Sequence, residues 1–179
     1  MDYRPITTPR IETERLLLRW FDADDLDDFH LLGSEPRVIR YVGNVPFASR
    51  DAARETLAAA ALQDYATHGF GRFACVWKAT GRVIGFCGPK FLSDIGEVEL
   101  GYRFLPGFWG VGLATESSQA AIAYTRDVLR FRRLIALIHP ENTASARVAA
   151  KLGFEAERKI AVAWFPDVEL DLYARSLDD

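Results

Sequence analysis

The 179-residue chain is expected to fold as one α+β domain, residues 1–179, with a mixed, mostly antiparallel twisted sheet of about six to seven strands flanked by helices. Three observations predict this. Apolar residues follow a strand period in some stretches and a helix period in others, in the order strand, two or three helices, three strands, helix, strand, helix, two strands. Residues 133–138 are apolar after the first, as a central strand covered on both faces should be. No repeat, low-complexity tract or interdomain linker interrupts the chain, and its length suffices to bury roughly 70% of the unfolded surface.

The first strand is residues 13–20, TERLLLRW. The acidic run after it carries Leu26, Phe29 and Leu32 at helical spacing. Its aspartates crowd a helix start, where the macrodipole favours negative charge, and are expected to be solvated, with Gly33 closing the helix. Ser34-Glu35-Pro36 opens a short helix through residues 40–42, closed by Gly43. Ser49 is placed to cap a longer helix, residues 50–68, stopped by Gly69. Residues 73–78 and 83–92 form a hairpin across Ala79-Thr80-Gly81-Arg82, and residues 93–96 turn the chain into a strand from Glu97.

The next helix runs to about Leu129, with a narrow face of Ala114, Ser118, Ala121, Thr125 and Val128 suited to close packing on a sheet. His139-Pro140 ends the central strand. Asn142 then caps a helix through Leu152, with Gly153 as left-handed C-cap and Phe154 as the apolar residue behind it. The last two strands, residues 157–165 and 168–176, are separated by Pro166-Asp167.

Residues 97–116, EVELGYRFLPGFWGVGLATE, organise the rest. Val98 and Leu100 alternate with Glu97 and Glu99; Pro106 and Gly107 stop the strand; Gly110 and Gly112 follow, and helix formers begin at Leu113. Strand, glycine loop and helix start present unpaired N–H groups to an anion, and glycines let a phosphate approach the main chain. Turn and cap glycines alone explain the same pattern. No Lys-Ser or Lys-Thr follows, which excludes a Walker loop, and Thr115 stands where the dinucleotide fingerprint needs glycine.

Composition bounds the partners. A net charge of −3 gives no reason to expect nucleic acid. No apolar run is long enough to span a membrane, and the first fifteen residues lack the apolar core of a secretory signal. Cys75 and Cys87 lie in apolar, strand-like runs without a CxxC or histidine partner, as expected of free buried thiols in a cytoplasmic protein. His30, His68 and His139 lack metal-ligand spacing, and no metal is expected.

The motif E-L-G-Y-x-F-x-P-x-x-W-G-x-G-x-A-T-E, followed by a strand and N-x-x-S-x-x-V-x-x-K-L-G-F, resembles the GNAT superfamily of N-acetyltransferases. With the opening T-E-R-L-x-L-R, it is most similar to the branch of RimJ/RimL-type ribosomal-protein N-terminal acetyltransferases. The matches run from Thr13 to Phe154. The resemblance implies splayed central strands and acetyl-CoA as acetyl donor. Its diphosphate would be held by main-chain N–H groups of Trp109, Gly110, Val111, Gly112, Leu113, Ala114 and Thr115. Of the superfamily pattern Q/R-x-x-G-x-G/A, Trp109 departs from the first position, while Gly112 and Ala114 match the fourth and sixth. The pantetheine arm would pair with the backbone at Tyr102 and Phe104, with an N–H such as that of Phe104 polarising the thioester. Asn142 would bind pantetheine through its amide, and Ser145 would stabilise or protonate the departing thiolate. The superfamily's usual tyrosine for that task corresponds to Ala149.

Acetylating an amine requires a base, because an ammonium must lose a proton before nitrogen attacks. Glu99 matches the glutamate of E-L-G-Y and is assigned that role, directly or through water, with Glu97 the alternative on the same strand face. A structural salt bridge is the competing reading for both. Trp20, Tyr41, Phe108, Trp164 and Phe165 are candidates to line an acceptor pocket, although aromatics on sheets also build cores. The expected activity is direct acetyl transfer to a primary amine, a protein N-terminus ahead of a small molecule. A non-catalytic acyl-CoA-binding module is the alternative, and monomer and homodimer are both open.

Overall fold

The structure is a computed structural model that describes residues 8–43 and 45–178. The first seven residues, read above for a secretory signal, lie outside these. Among the described residues no helix is long and apolar enough to cross a membrane.

The strands are β1 (Arg10–Glu12), β2 (Leu16–Arg19), β3 (Phe73–Trp77), β4 (Val83–Leu92), β5 (Glu97–Phe104), β6 (Arg133–Ile138), β7 (Glu155–Val162) and β8 (Phe165–Ser176). They form one sheet in the order β1-β2-β3-β4-β5-β6-β8-β7. Every neighbouring pair is antiparallel except β5 and β6, which are parallel. Parallel neighbours need a crossover, and α5 (Leu113–Asp127) provides it.

The sheet has one strand more than the upper expectation because the first predicted strand is interrupted at its start. Thr13 N–H donates to the Leu16 carbonyl (2.9 Å) and Thr13 Oγ1 accepts from Leu16 N–H (3.0 Å), so residues 10–12 fold back onto residues 17–19. The final hairpin also turns earlier than predicted. Val162 pairs with Phe165 across Ala163-Trp164, and Pro166 lies inside β8. Pairing of β8 with β6 begins only at Asp171, so Pro166 lies where β8 has a neighbour on one side alone and its missing N–H breaks no ladder.

Helices cover both faces. On one lie α1 (Leu26–Ser34), α2 (Pro36–Ile39) and a continuous rod made of α3 (Arg50–Leu57), a π turn (Ala58–Leu62) and α4 (Gln63–His68). Ser49 caps the rod, accepting from Ala52 N–H at 3.1 Å. Gly33 does not end α1: it lies inside, and a Cβ there would stand 2.1 Å from the Phe47 ring. Nor are the aspartates at this end all solvated. Asp25 is buried and pairs with Arg19 at 2.7 Å, Asp27 pairs with Arg50, and Asp28 pairs with Arg82 and accepts from Val83 N–H.

On the other face, α5 and α6 (Thr143–Lys151) pack over Val98, Leu100, Phe104 and Leu134 in the main core. The small-residue face of α5 does the close packing: Ser118, Ala121 and Thr125 are fully buried, and Ser118 Oγ lies 3.4 Å from Cys87 Sγ. Val128, expected on that face, is instead the exposed C-cap of α5. Gly153 and Phe154 close α6 as predicted. Gly153 has φ +76°, its N–H reaches the Ala150 carbonyl, and that of Phe154 reaches Ala149.

Candidate active site

Strand β5 is the spine of the site. Its register with β4 is unbroken from Glu97–Leu92 to Phe104–Gly85, whereas its pairing with β6 is recorded at Glu99–Ile135 alone. Beyond Glu99 the two parallel strands part, and β6 continues with β8 on its other side as far as Ile138. Leu105 N–H donates back to the Ile84 carbonyl on β4 (2.9 Å). Successive strand N–H groups alternate sides, so those of Tyr102 and Phe104 point away from β4, into the gap. The Phe104 carbonyl on that edge is taken by the Trp109 indole N–H at 2.6 Å.

At the far end of the gap the glycine loop stands open. A Cβ on Gly110 would meet nothing within 4 Å, and one on Gly112 would meet only Arg15 Nη2, at 3.6 Å. Both glycines have positive φ, +76° and +88°. Trp109 and Val111 are about half exposed, so the loop is not filled by its own side chains. Gly112 is the N-cap of α5 and offers no side-chain acceptor. The N–H groups of Leu113, Ala114 and Thr115 thus head a fifteen-residue helix without a cap.

The first motif of the chain braces this loop. Glu116 Oε1 accepts from Thr13 Oγ1 (2.6 Å) and from Arg15 N–H (2.8 Å), Oε2 accepts from Arg15 Nε (2.7 Å), and Arg15 Nη1 donates to the Val111 carbonyl (2.9 Å). Partial burial opposes the Glu116 carboxylate, but Thr13 and Arg15 outweigh it and hold the group below the usual glutamate range. Sequence reasoning treated T-E-R and A-T-E as two separate matches, and their contact, across about a hundred residues, had no local signal.

Helix α6 closes the other wall. Asn142 caps it, Oδ1 accepting from Ser145 N–H at 3.2 Å, which leaves the amide NH₂ for another partner. Tyr102 O–H donates to the Ser145 carbonyl at 3.0 Å and so ties β5 to the start of α6. The Ser145 side chain also lies within hydrogen-bonding reach of the Tyr102 phenol. Burial pushes the Tyr102 phenol up to about 12, against a hydrogen bond with the Ser145 side chain. Ala149, where a tyrosine would be usual, is buried.

On the opposite face of β5 the two glutamates are ion-paired: Glu97 with Arg133 at 3.1 Å, and Glu99 Oε2 with Arg72 Nη2 at 2.5 Å. Arg72 also donates to the Gly88 carbonyl (2.6 Å), and its guanidinium lies where a Cβ on Gly101 would be. The aromatic candidates divide. Trp20 stacks on Tyr65 (4.4 Å) and Phe108 packs on Trp77 (5.4 Å), so both belong to packing. Tyr41 and Phe165 flank His139 at 5.1 and 5.4 Å, just past the end of β6. Trp164 stays largely exposed on the neighbouring hairpin turn, its carbonyl 2.7 Å from where a Cβ on Gly43 would lie.

A sheet parted beside a bare glycine loop and a helix start defines a class, the GNAT fold. The chain belongs to that family: residues 15–155 match the acetyltransferase (GNAT) domain. It is 34% identical over 147 residues to the uncharacterized N-acetyltransferase p20 of Bacillus licheniformis, covering 81% of this chain and 82% of that one. Among solved structures, a GNAT-family acetyltransferase from Bacillus anthracis superposes with a TM-score of 0.77 at 25% identity, over 94% of this chain and 98% of the other. Spermidine N-acetyltransferase from Vibrio cholerae, in complex with CoA and spermine, shares the fold at TM-score 0.73 and 20% identity, over 90% and 95%. The protein is an N-acetyltransferase of α+β architecture.

Proposed function

We propose that residues 1–179 act as one unit that transfers the acetyl group of acetyl-CoA directly to a primary amine in a ternary complex. A peptide N-terminus of the RimJ/RimL kind is placed ahead of a small amine on the strength of the motif resemblance. The observation that carries the reading is the gap between β5 and β6, edged by the N–H groups of Tyr102 and Phe104 and ending at an uncovered glycine loop.

In this reading the N–H groups of residues 109–115 hold the diphosphate, and those of Tyr102 and Phe104 pair with the pantetheine arm. The Asn142 amide adds a side-chain donor. Glu99 takes the ammonium proton through Oε1 or a water, since Arg72 occupies Oε2. The nitrogen then attacks the thioester carbonyl, whose developing charge meets the Phe104 N–H. When the C–S bond breaks, the Ser145 hydroxyl protonates the thiolate and recovers a proton from the nitrogen that becomes the amide.

The test is thiol release from acetyl-CoA over a panel of peptide N-termini, polyamines and amino sugars, with acetyl-CoA binding followed separately. Release with at least one amine supports the assignment. Glu99→Gln is expected to slow turnover at neutral pH and to leave acetyl-CoA affinity largely intact; unchanged turnover removes Glu99 from the mechanism. The buried Ala149, which leaves the usual tyrosine hydroxyl missing, favours a second reading as a non-catalytic acyl-CoA-binding module. Tight acetyl-CoA binding with no thiol release from any amine would select it.

A further inference from the structure

The cations on the Glu99 face of β4 and β5 have carboxylate partners, with one exception. Lys90 pairs with Asp64 at 2.6 Å, Arg72 with Glu99 at 2.5 Å, and Arg133, from β6, with Glu97 at 3.1 Å. Arg103 does not. Among the described residues its side chain has neither a hydrogen bond nor an ion pair; its guanidinium lies 5.0 Å over the Phe86 ring, which Arg72 shares from 5.8 Å. The surroundings are apolar, since Phe86 and Leu105 both pack against the cluster of Leu32, Val38 and Ile39. Burial first, and then the nearby charge of Arg72, lower Arg103 to about 10, with Glu99 acting the other way. Arg103 is half-buried and its nitrogens are not sealed from water, so a guanidinium with five N–H donors stands open to a ligand there.

Its position matters as much as its environment. Arg103 shares a strand face with Glu99, four residues further on, where β5 has already parted from β6. An acceptor whose nitrogen approaches Glu99 from that face has Arg103 ahead of it. The local balance is two guanidinium groups to one carboxylate, so the group that completes it is an anion. A second ammonium, as in a polyamine, would instead meet an uncompensated positive charge.

Resting on the transferase reading, we infer that Arg103 selects an acceptor with a carboxylate a few bonds from its reactive amine. That carboxylate is either the α-carboxylate of an amino acid or an acidic side chain at the start of a peptide. Arg103 takes it through a charge-assisted hydrogen bond while Glu99 receives the amine.

Two series of acceptors separate the sources: amino acids against their carboxamides, and short peptides beginning with Asp or Glu against the same peptides beginning with Asn or Gln. Each is followed by thiol release with acetyl-CoA and by calorimetric binding to the CoA-loaded protein. In at least one series the acid is expected to be preferred by roughly tenfold or more, the worth of one hydrogen bond to a charged group. In Arg103→Gln the acid's KM rises and the preference collapses toward unity, while Arg103→Lys retains part of it. The lysine variant keeps the test decisive if the glutamine variant fails to fold. Absence of preference in both series, or preference surviving in Arg103→Gln, overturns the inference. Arg103-dependent binding of acids without turnover would leave it standing and remove the transferase reading; turnover indifferent to the carboxylate would do the reverse.

Discussion

At Glu99 two demands meet in one side chain. Pairing with Arg72 orients the carboxylate and engages one oxygen, while the proposed chemistry needs the other. The pair was not legible in the sequence, because Arg72 is separated from Glu99 by two strands and their turns; the period of β5 showed only which face the carboxylate takes. Gly101 is part of this arrangement. A Cβ there would displace the Arg72 guanidinium, whose nearest atom is 2.3 Å away, so Gly101→Ala is expected to lower kcat without changing acetyl-CoA affinity. Gly85 is a harder constraint, since a Cβ would stand 2.2 Å from the Arg103 backbone carbonyl, which cannot swing aside. Gly85→Ala should cost about 1–3 kcal/mol in denaturant unfolding, the usual range for forcing extra volume into a packed site.

Among the elements, α6 separates structure from chemistry most cleanly. Asn142 accepts from Ser145 N–H, and aspartate can do the same without an amide donor. Asn142→Asp should therefore match the wild type in thermal unfolding but bind acetyl-CoA more weakly, whereas Asn142→Ala should lose about 1 kcal/mol of stability as well. The brace between the chain's first motif and α5 is pH-dependent. Glu116 is held below its unfolded value, so its contribution is present above the ordinary glutamate range, near about pH 4, and is lost as pH falls through the lowered folded value. Glu116→Gln should lower the melting temperature at neutral pH and reduce its drop in acid. The helix boundaries set by Ser49, Gly69, Asn142 and Gly153 were readable because each is a local hydrogen-bonding or backbone requirement. The turn at Ala163-Trp164 was not, because proline ends a strand only where a ladder hydrogen bond is needed, and that depends on which strands lie alongside.

For the molecule as a whole, the order of strands and helices carried most of the fold, and the glycine loop carried the proposed cofactor half of the candidate site. The proposed acceptor half depends on ion pairs between distant segments, and an arginine on a strand such as Arg103 carries no local signal of a role. Both sheet edges are guarded: β1 has three residues, and β7 carries Glu155, Glu157, Arg158 and Lys159 and is twice irregular in its register. Replacing Glu157 and Lys159 together by valine is expected to raise the sedimenting mass relative to wild type, through strand-to-strand association. Cys75 and Cys87 are inaccessible, and burial raises both thiols above their ordinary range, so a thiol reagent should label neither until the chain unfolds.

The parting of β5 from β6 means that half a ladder is left for something else to complete. Amide protons at Tyr102 and Phe104 should trade with deuterium quickly in the empty protein, while their neighbours Arg103 and Leu105, turned toward β4, trade slowly. Adding acetyl-CoA should erase that alternation, with the donor's peptide-like arm behaving as a missing strand of the sheet.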